Sequence, residues 1–110
     1  MAAKFELKKS KNGQYMFNLK AANGEVILTS ETYHEKGSAE KGIVSVKANA
    51  ANDKRYERKV AKKGQTYFTL IAANTLVIGM SEMYKSVSGR NNGIASVKKN
   101  APGACVVDLT

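Results

Sequence analysis

The sequence predicts an α+β fold made of two tandem β-β-β-α repeats followed by a C-terminal strand. The second half of the chain repeats the first at a spacing of 51 residues without a gap, so that Gly13 recurs as Gly64 and Phe17 as Phe68. In each copy, three strand-like segments precede one segment of helical spacing. The apolar tail 105–109 adds an edge strand that pairs with the other half. We therefore expect one antiparallel sheet with two helices packed on one face and pseudo-twofold symmetry.

The strands of the first repeat follow from alternation and turn chemistry. Residues 4–8 alternate apolar and charged side chains, which is the period of a half-buried strand. Asn12 and Gly13 tolerate positive φ and indicate a hairpin. A second alternating strand covers 15–20, and a β-branched third strand covers 25–30. Short turns between the three strands are typical of an antiparallel meander.

The pattern then changes to the period of a helix. Ser38 is a candidate cap with an acidic residue in the first turn. Ile43, Val46 and Ala50 lie at helical spacing and form the apolar face of this helix. The polar segment 49–53 predicts the exit from the helix.

The second repeat follows the same course. Its strands are expected at 56–60, 66–71 and 76–80, and its helix at Ser88 or Gly89. Pro102 and Gly103 stop this helix, since proline cannot continue one. Lys63-Gly64 and Asn74-Thr75 replace the two Asn-Gly pairs of the first repeat, so we expect looser turns in the second.

Length and composition favour one soluble domain. The chain has 110 residues, of which 43% are hydrophobic and 25% charged. A half of about 50 residues buries too little surface to be stable alone. We therefore expect a single domain, 1–110, with internal repeats 4–52 and 55–110. The duplication also predicts a monomer, because a covalent pseudo-dimer no longer needs a second chain.

Location and partners are constrained only by what the sequence lacks. It has no apolar run long enough to span a bilayer and no apolar signal-peptide region after Met1. Its only cysteine is Cys105, which excludes an internal disulfide and fits a reducing cytoplasm. We expect a cytoplasmic protein without a membrane partner.

Two stretches of the first copy are similar to a known family. They are Asn23-Gly24-Glu25-x-Ile27-Leu28-Thr29-Ser30-Glu31-x-Tyr33 and Ala39-x-x-Gly42-Ile43-x-Ser45-Val46. This pattern resembles the YegP-like family of small bacterial proteins, which carry one or two copies of a domain of unknown function. The resemblance covers nearly the whole chain. It implies a pseudo-twofold α+β fold whose repeats join one sheet and exchange C-terminal strands, and it implies no activity. The second copy departs from the pattern at Thr75-Leu76 and Gly79-Met80.

The sequence offers little for catalysis, a cofactor or a metal. The only histidine, His34, and the only cysteine, Cys105, have no pattern that connects them, and one of each is too few for a zinc site. Glu31 and Glu82 occupy equivalent repeat positions, but a structural role at the strand end is the better interpretation. We therefore predict no enzyme, no catalytic residue, no cofactor and no metal ligand.

Two glycines at equivalent positions of the repeats can be interpreted either as packing positions or as part of an anion site. Gly42 and Gly93 each precede a helical isoleucine. Close approach of helix and sheet explains them better than an anion site at a helix N-terminus.

The basic residues give the best functional hypothesis. The net charge is +9, which favours association with polyanions. Within ten residues the chain places Lys54, Arg55, Arg58, Lys59, Lys62 and Lys63 against one acid, Glu57. With Tyr15, Tyr56 or Tyr67 nearby, such a surface could hold phosphates and stack bases. The opposing interpretation is that these are solvated side chains that protect an edge strand from aggregation.

The function predicted from sequence is a small non-enzymatic binding or interaction module. Its partner is unknown, with nucleic acid or another polyanion as the first hypothesis. The alternative is a protein-interaction or stress-related structural module without nucleic-acid binding.

Overall fold

A computed structural model describes residues 3–110 and has one seven-stranded sheet with two helices against one of its faces. The strands are β1 (Lys4–Lys9), β2 (Tyr15–Lys20), β3 (Val26–Thr29), β4 (Tyr56–Val60), β5 (Thr66–Ile71), β6 (Val77–Met80) and β7 (Cys105–Asp108). The helices are α1 (Lys36–Asn49) and α2 (Val87–Asn100), and 3-10 turns occupy Asp53–Arg55 and Ala101–Gly103. The predicted fold class is confirmed.

The two repeats meet at the middle of the sheet. The strand order is β4-β5-β6-β3-β2-β1-β7, so β3 of the first repeat lies beside β6 of the second. Thr29 is opposite Met80 in this antiparallel pair, and these two residues hold the same position in their repeats. The pseudo-twofold axis therefore passes between β3 and β6.

The tail strand pairs with the other half of the sheet, as expected, but in parallel. Lys4 lies opposite Cys105 and Leu7 opposite Asp108, with both strands running the same way. The sheet is therefore mixed, whereas the sequence predicted an antiparallel one. The reason is the path of α2, which delivers the chain at the end of the sheet where β1 begins.

Both helices begin earlier than predicted. The α1 helix begins at Lys36 after Glu35, which makes no side-chain cap, so Ser38 is not the cap. The α2 helix begins at Val87, because the Ser86 hydroxyl accepts the Gly89 N–H at 3.0 Å. Neither first turn contains an acidic residue.

The turns of the second repeat are not looser than those of the first. Gly64 and Gly13 both have positive φ, and their N–H groups close the turns at 2.9 and 3.0 Å. Thr75 takes the place of Gly24 and keeps the turn at φ 70°, with its N–H 2.9 Å from the Ala72 carbonyl. The turn geometry is thus retained at a cost in backbone strain, because a β-branched residue rarely adopts positive φ.

Replacing Thr75 with glycine should relieve this strain. We expect Thr75→Gly to raise the free energy of unfolding by up to about 1 kcal/mol, since glycine lacks the Cβ that clashes at positive φ. The greater freedom of glycine in the unfolded chain offsets part of this gain. Urea denaturation measures the change. The control is Ala73→Gly in the same turn, where φ is not positive, and it should be destabilising. Equal effects of the two changes would contradict the strain.

The core lies between the helices and one face of the sheet. Phe5, Phe17 and Phe68 are fully buried there, and Phe5 meets Phe17 edge-on with ring centroids 5.9 Å apart. The predicted helix faces are confirmed, because Ile43, Val46 and Ala50 are buried, as are their counterparts Ile94, Val97 and Ala101. The other sheet face is not covered by any element of the described residues 3–110.

Candidate functional site

The six predicted basic residues follow a single edge of the sheet. Arg58 and Lys59 lie in β4, the outermost strand of the second repeat. Lys54 and Arg55 precede it in the 3-10 turn, and Lys62-Lys63 follow it in the turn to β5. The strand joins the two pairs over about 17 Å at 3.3 Å per residue. We call these six residues the β4-edge stripe.

Arg58 and Lys59 point to opposite sides of the sheet, as alternation requires. Arg58 faces the helices, where Asp53 accepts from its Nη2 at 3.1 Å and from Lys98 Nζ at 2.8 Å. The hydrogen bonds from these two cations hold the pKa of the Asp53 carboxyl below its usual value, and the bond from Lys98 has the larger effect. Lys59 lies on the uncovered face, 3.8 Å from the Glu57 carboxylate.

The other four residues of the stripe have no carboxylate partner in the described part of the chain. Arg55 donates from Nε to the neutral Asn49 Oδ1 at 3.1 Å. Lys54, Lys62 and Lys63 are exposed and take no part in an ion pair within residues 3–110. The stripe therefore carries positive charge that the described chain does not neutralise locally.

The aromatic side chains do not form the stacking platform that the sequence suggested. Tyr56 is buried on the helix side, its hydroxyl donates to the Ala50 carbonyl at 2.6 Å, and burial raises its pKa. Tyr15 is also on the helix side, with Lys9 Nζ 5.3 Å from its ring centroid. Of the three candidates only Tyr67 lies on the uncovered face, where it is paired with Lys59. One ring of three is too few for consecutive base stacking.

The repeated Ser-Glu-x-Tyr segments have a structural role. Ser30 Oγ accepts the Phe17 N–H at 2.9 Å, and Ser81 Oγ accepts the Phe68 N–H at 3.0 Å. Each serine thus bonds the neighbouring strand where the regular ladder ends. The tyrosines pack against the core, and burial raises the pKa of Tyr33 and Tyr84.

The two glycines at the helices accommodate these tyrosines. A Cβ on Gly42 would lie 2.6 Å from Tyr33 Oη and 3.0 Å from Phe17 Cε2. A Cβ on Gly93 would meet Tyr84 in the same way. Close helix-to-sheet approach explains both glycines, and both lie inside their helices and not at the N-termini.

Glu31 and Glu82 do not come together across the pseudo-twofold axis. Thr29 is opposite Met80 in antiparallel strands, so the two glutamates lie beyond it in opposite directions. Their separation along the strands is about four residues, or about 13 Å. Paired catalytic carboxylates in glycoside hydrolysis are at most about 9.5 Å apart. This geometry removes the enzyme hypothesis that rested on these two residues.

His34 and Cys105 also lie apart. His34 is exposed beside Gln14, whose Nε2 is 3.2 Å from its Nδ1, at the end of β1 that contains Lys9. Cys105 is exposed at the other end, opposite Lys4. No cluster of three or more metal-binding side chains occurs among residues 3–110, and no helix in that range could cross a membrane.

Comparison with known proteins shows the family. The profile of a domain of unknown function, DUF1508, matches the chain twice, at residues 10–57 and 61–108. The chain belongs to the DUF1508 family. Both predicted copies of the domain are therefore present, and the YegP-like resemblance is confirmed.

Relatives of this DUF1508 protein match it over nearly their full lengths. A UPF0339 protein of Bordetella pertussis is 57% identical over 110 residues, covering 98% of that protein. The UPF0339 protein YegP of Escherichia coli O157:H7 is 54% identical over the whole of both chains. The solution NMR structure of yegP from E. coli superposes with a TM-score of 0.95 at 54% identity, covering 100% of this chain and 95% of that one.

A second solved relative has the same fold. The solution NMR structure of a UPF0339 protein of Shewanella oneidensis gives a TM-score of 0.93 at 50% identity, covering 100% of this chain and 93% of that one. The names of these relatives state no activity. The family assignment therefore establishes the fold and leaves the role of the β4-edge stripe to be argued from its geometry.

Sequence reasoning missed two contributors to the stripe. Asp53 and Lys98 form a network with Arg58, although Lys98 belongs to α2 and is distant in sequence. No spacing pattern connects these residues. The repeat itself offered one usable signal for the edge. It places the counterpart of the tail strand at residues 54–57, which run into β4, and so indicates that the first repeat supplies no strand to cover β4.

Proposed function

We propose that this protein is a small non-enzymatic binding module that holds anionic macromolecules, nucleic acid among them, against the β4-edge stripe. The observation that supports it most is the coincidence of an uncovered strand edge with uncompensated cations. Lys54, Arg55, Lys62 and Lys63 lie along that edge without a carboxylate partner within residues 3–110. Arg58 is partly neutralised by Asp53 and contributes less.

Binding by such a surface is expected to be electrostatic and largely independent of sequence. Charges exposed to solvent are screened over about 8–10 Å at physiological ionic strength, so salt should weaken the complex steeply. Tyr67 alone offers a ring on the uncovered face, which leaves little for base stacking.

We also propose that the protein is a cytoplasmic monomer. The chain covers the edge of β1 with its own β7, so this edge needs no strand from a second molecule. The free thiol of Cys105 is exposed, which fits a reducing compartment.

Two charge-matched triple variants test whether the stripe is the binding surface. The first, Lys54→Gln with Lys62→Gln and Lys63→Gln, removes three exposed cations of the stripe. The control, Lys9→Gln with Lys11→Gln and Lys41→Gln, removes three exposed cations elsewhere and leaves the same net charge. Binding of labelled single-stranded RNA is followed by fluorescence anisotropy between about 20 and 300 mM salt.

We expect the stripe variant to bind more weakly and the control to bind like the parent protein. If each lost lysine removes one phosphate contact, the slope of log K against log salt falls by about 2 in the stripe variant. Equal losses in both variants would show that net charge, and not the stripe, drives binding. No binding of the parent protein at the lowest salt would overturn the proposed function.

A protein partner is the second candidate, and the uncovered edge of β4 favours it. An edge strand presents unpaired N–H and C=O groups that can add a strand from another chain.

A further inference from the structure

The outer edge of β4 lacks the cover that the equivalent edge of β1 has. β7 pairs with β1 in parallel from Lys4 to Leu7. In the first repeat, the residues that correspond to β7 are 54–57, and these lead directly into β4 itself. They cannot form β4 and also lie beside it. The chain therefore covers one of two equivalent edges, and within residues 3–110 no strand lies beside the other.

The backbone of β4 is oriented to receive a strand. On β1, the Leu7 carbonyl points away from β2 and accepts the Leu109 N–H at 2.8 Å. Arg58 holds the position of Leu7 in the second repeat. Because alternate residues of an antiparallel strand turn their backbone groups to opposite sides, Tyr56 and Arg58 present their C=O groups outward, as Phe5 and Leu7 do on β1, and Arg58 also presents its N–H.

The helix side of this edge has room for an apolar side chain. On the covered edge, Val106 of β7 lines an apolar depression with Ile43 and Val44 of α1. The corresponding positions of α2 are Ile94 and Ala95. In the described chain no residue holds the place of Val106 beside them, and Val60 of β4 is 68% exposed.

The positive charge along the edge of β4 favours an acidic partner strand. On the covered edge, Asp108 of β7 lies opposite Leu7 and pairs with Lys36. On β4 the residue in the place of Leu7 is Arg58, and Lys62-Lys63 follow in the next turn. A second copy that offered its own β4 would place like charges side by side, which is destabilising. An acidic segment would neutralise them.

We propose that β4 binds an extended acidic segment of another protein by strand addition. The segment runs parallel to β4, as β7 runs along β1, with an aliphatic residue opposite Tyr56 and an acidic residue opposite Arg58. This inference rests on the proposed function, because it names the partner for the same basic edge.

Two labelled peptides of equal charge test the backbone pairing. The first is Glu-Val-Val-Asp-Leu-Glu, which follows the order of side chains in β7. The second is Glu-Val-Pro-Asp-Pro-Glu, which keeps the aliphatic residue opposite Tyr56 and all three acidic residues but lacks the two N–H groups that would bond to β4. We expect the second peptide to bind about tenfold more weakly, since each backbone hydrogen bond adds a modest net stabilisation.

Changes in the protein give an independent measurement. With the first peptide, the ¹H–¹⁵N signals of Tyr56 and Arg58 should shift and the amide exchange of Arg58 should slow. Arg58→Pro removes an outward N–H at an edge position that tolerates proline, and it should weaken this peptide several-fold relative to Arg58→Gln, which removes the same charge and keeps the N–H. These two variants should bind single-stranded RNA equally well.

The outcomes separate the inference from the proposed function. Equal binding of the two peptides, without slower exchange at Arg58, would overturn strand addition, while salt-sensitive RNA binding would still support the basic edge. RNA binding that far exceeds peptide binding would identify nucleic acid as the partner and also overturn strand addition. Failure of both peptides and of RNA at low salt would overturn both proposals.

Discussion

Phe68→Ala is expected to lower the free energy of unfolding by about 3–5 kcal/mol, and Phe17→Ala by a similar amount. Both rings are fully buried between the sheet and the helices, and they hold equivalent positions in the two repeats. Phe68 lies edge-on to Tyr56 with ring centroids 5.6 Å apart, as Phe17 does to Phe5 at 5.9 Å. Removing either ring therefore opens a cavity that the rigid surroundings fill only in part.

Denaturant unfolding followed by both fluorescence and circular dichroism measures this effect. We propose that the chain unfolds as one domain, so each variant should keep a single transition that coincides for the two probes. Val60→Ala and Leu76→Ala are the controls, because these side chains are 68% and 65% exposed and should change stability by at most about 0.5 kcal/mol. Two separate transitions in either phenylalanine variant would show that the repeats fold independently and would contradict the shared core.

Gly42→Ala is expected to destabilise the protein by about 1–3 kcal/mol, although alanine is the better helix former. The added methyl would lie 2.6 Å from Tyr33 Oη and 3.0 Å from the buried Phe17 ring, so the helix or the rings must move. Gly93→Ala should behave alike, since its Cβ would lie 2.8 Å from Tyr84 Cζ and 3.2 Å from Phe68 Cε2.

A glycine in the first turn of the same helix provides the control. Nothing lies within 4 Å of a Cβ on Gly37, so Gly37→Ala should be neutral or stabilising by up to about 1 kcal/mol. Removing the clashing hydroxyl should also recover stability, so Gly42→Ala combined with Tyr33→Phe should be more stable than Gly42→Ala alone. If Gly42→Ala stabilised the protein as much as Gly37→Ala, close packing of helix and tyrosine would be wrong.

The repeat made most of the fold predictable from sequence. It placed every strand in both copies, because alternation and Asn-Gly pairs in the clearer first copy could be transferred to the second. It also gave the buried helix faces, since Ile43, Val46 and Ala50 recur unchanged. These features depend on local periodicity and turn chemistry, which a sequence displays directly.

Features that depend on the course of the chain in three dimensions could not be predicted from local sequence patterns. The parallel direction of β7 follows from where α2 ends, and the helix starts were misplaced because Ser86 caps α2 while α1 has no side-chain cap. Thr75 keeps a turn that its residue type disfavours, because the neighbouring strands impose the geometry.

The residues of the candidate site could be predicted from the sequence, but their arrangement along an outer strand of the sheet could not. The sequence placed the basic residues next to one another, and the alternation of a strand is consistent with the opposite faces that Arg58 and Lys59 occupy in the structure. It did not show that β4 is an outer strand or that Tyr56 is buried beneath it. Strand order is set by tertiary pairing, so a run of lysines alone could not distinguish an edge from an interior strand.

The most direct test of the account is to map polyanion binding onto the amides of the ¹⁵N-labelled protein. Unlabelled single-stranded RNA is added at low salt, and ¹H–¹⁵N shift changes are followed residue by residue. We predict that the largest changes fall between residues 54 and 63. Changes of equal size at Lys8, Lys9 and Lys11, in the opposite corner of the sheet, would contradict it, because the charge would then act without a defined surface.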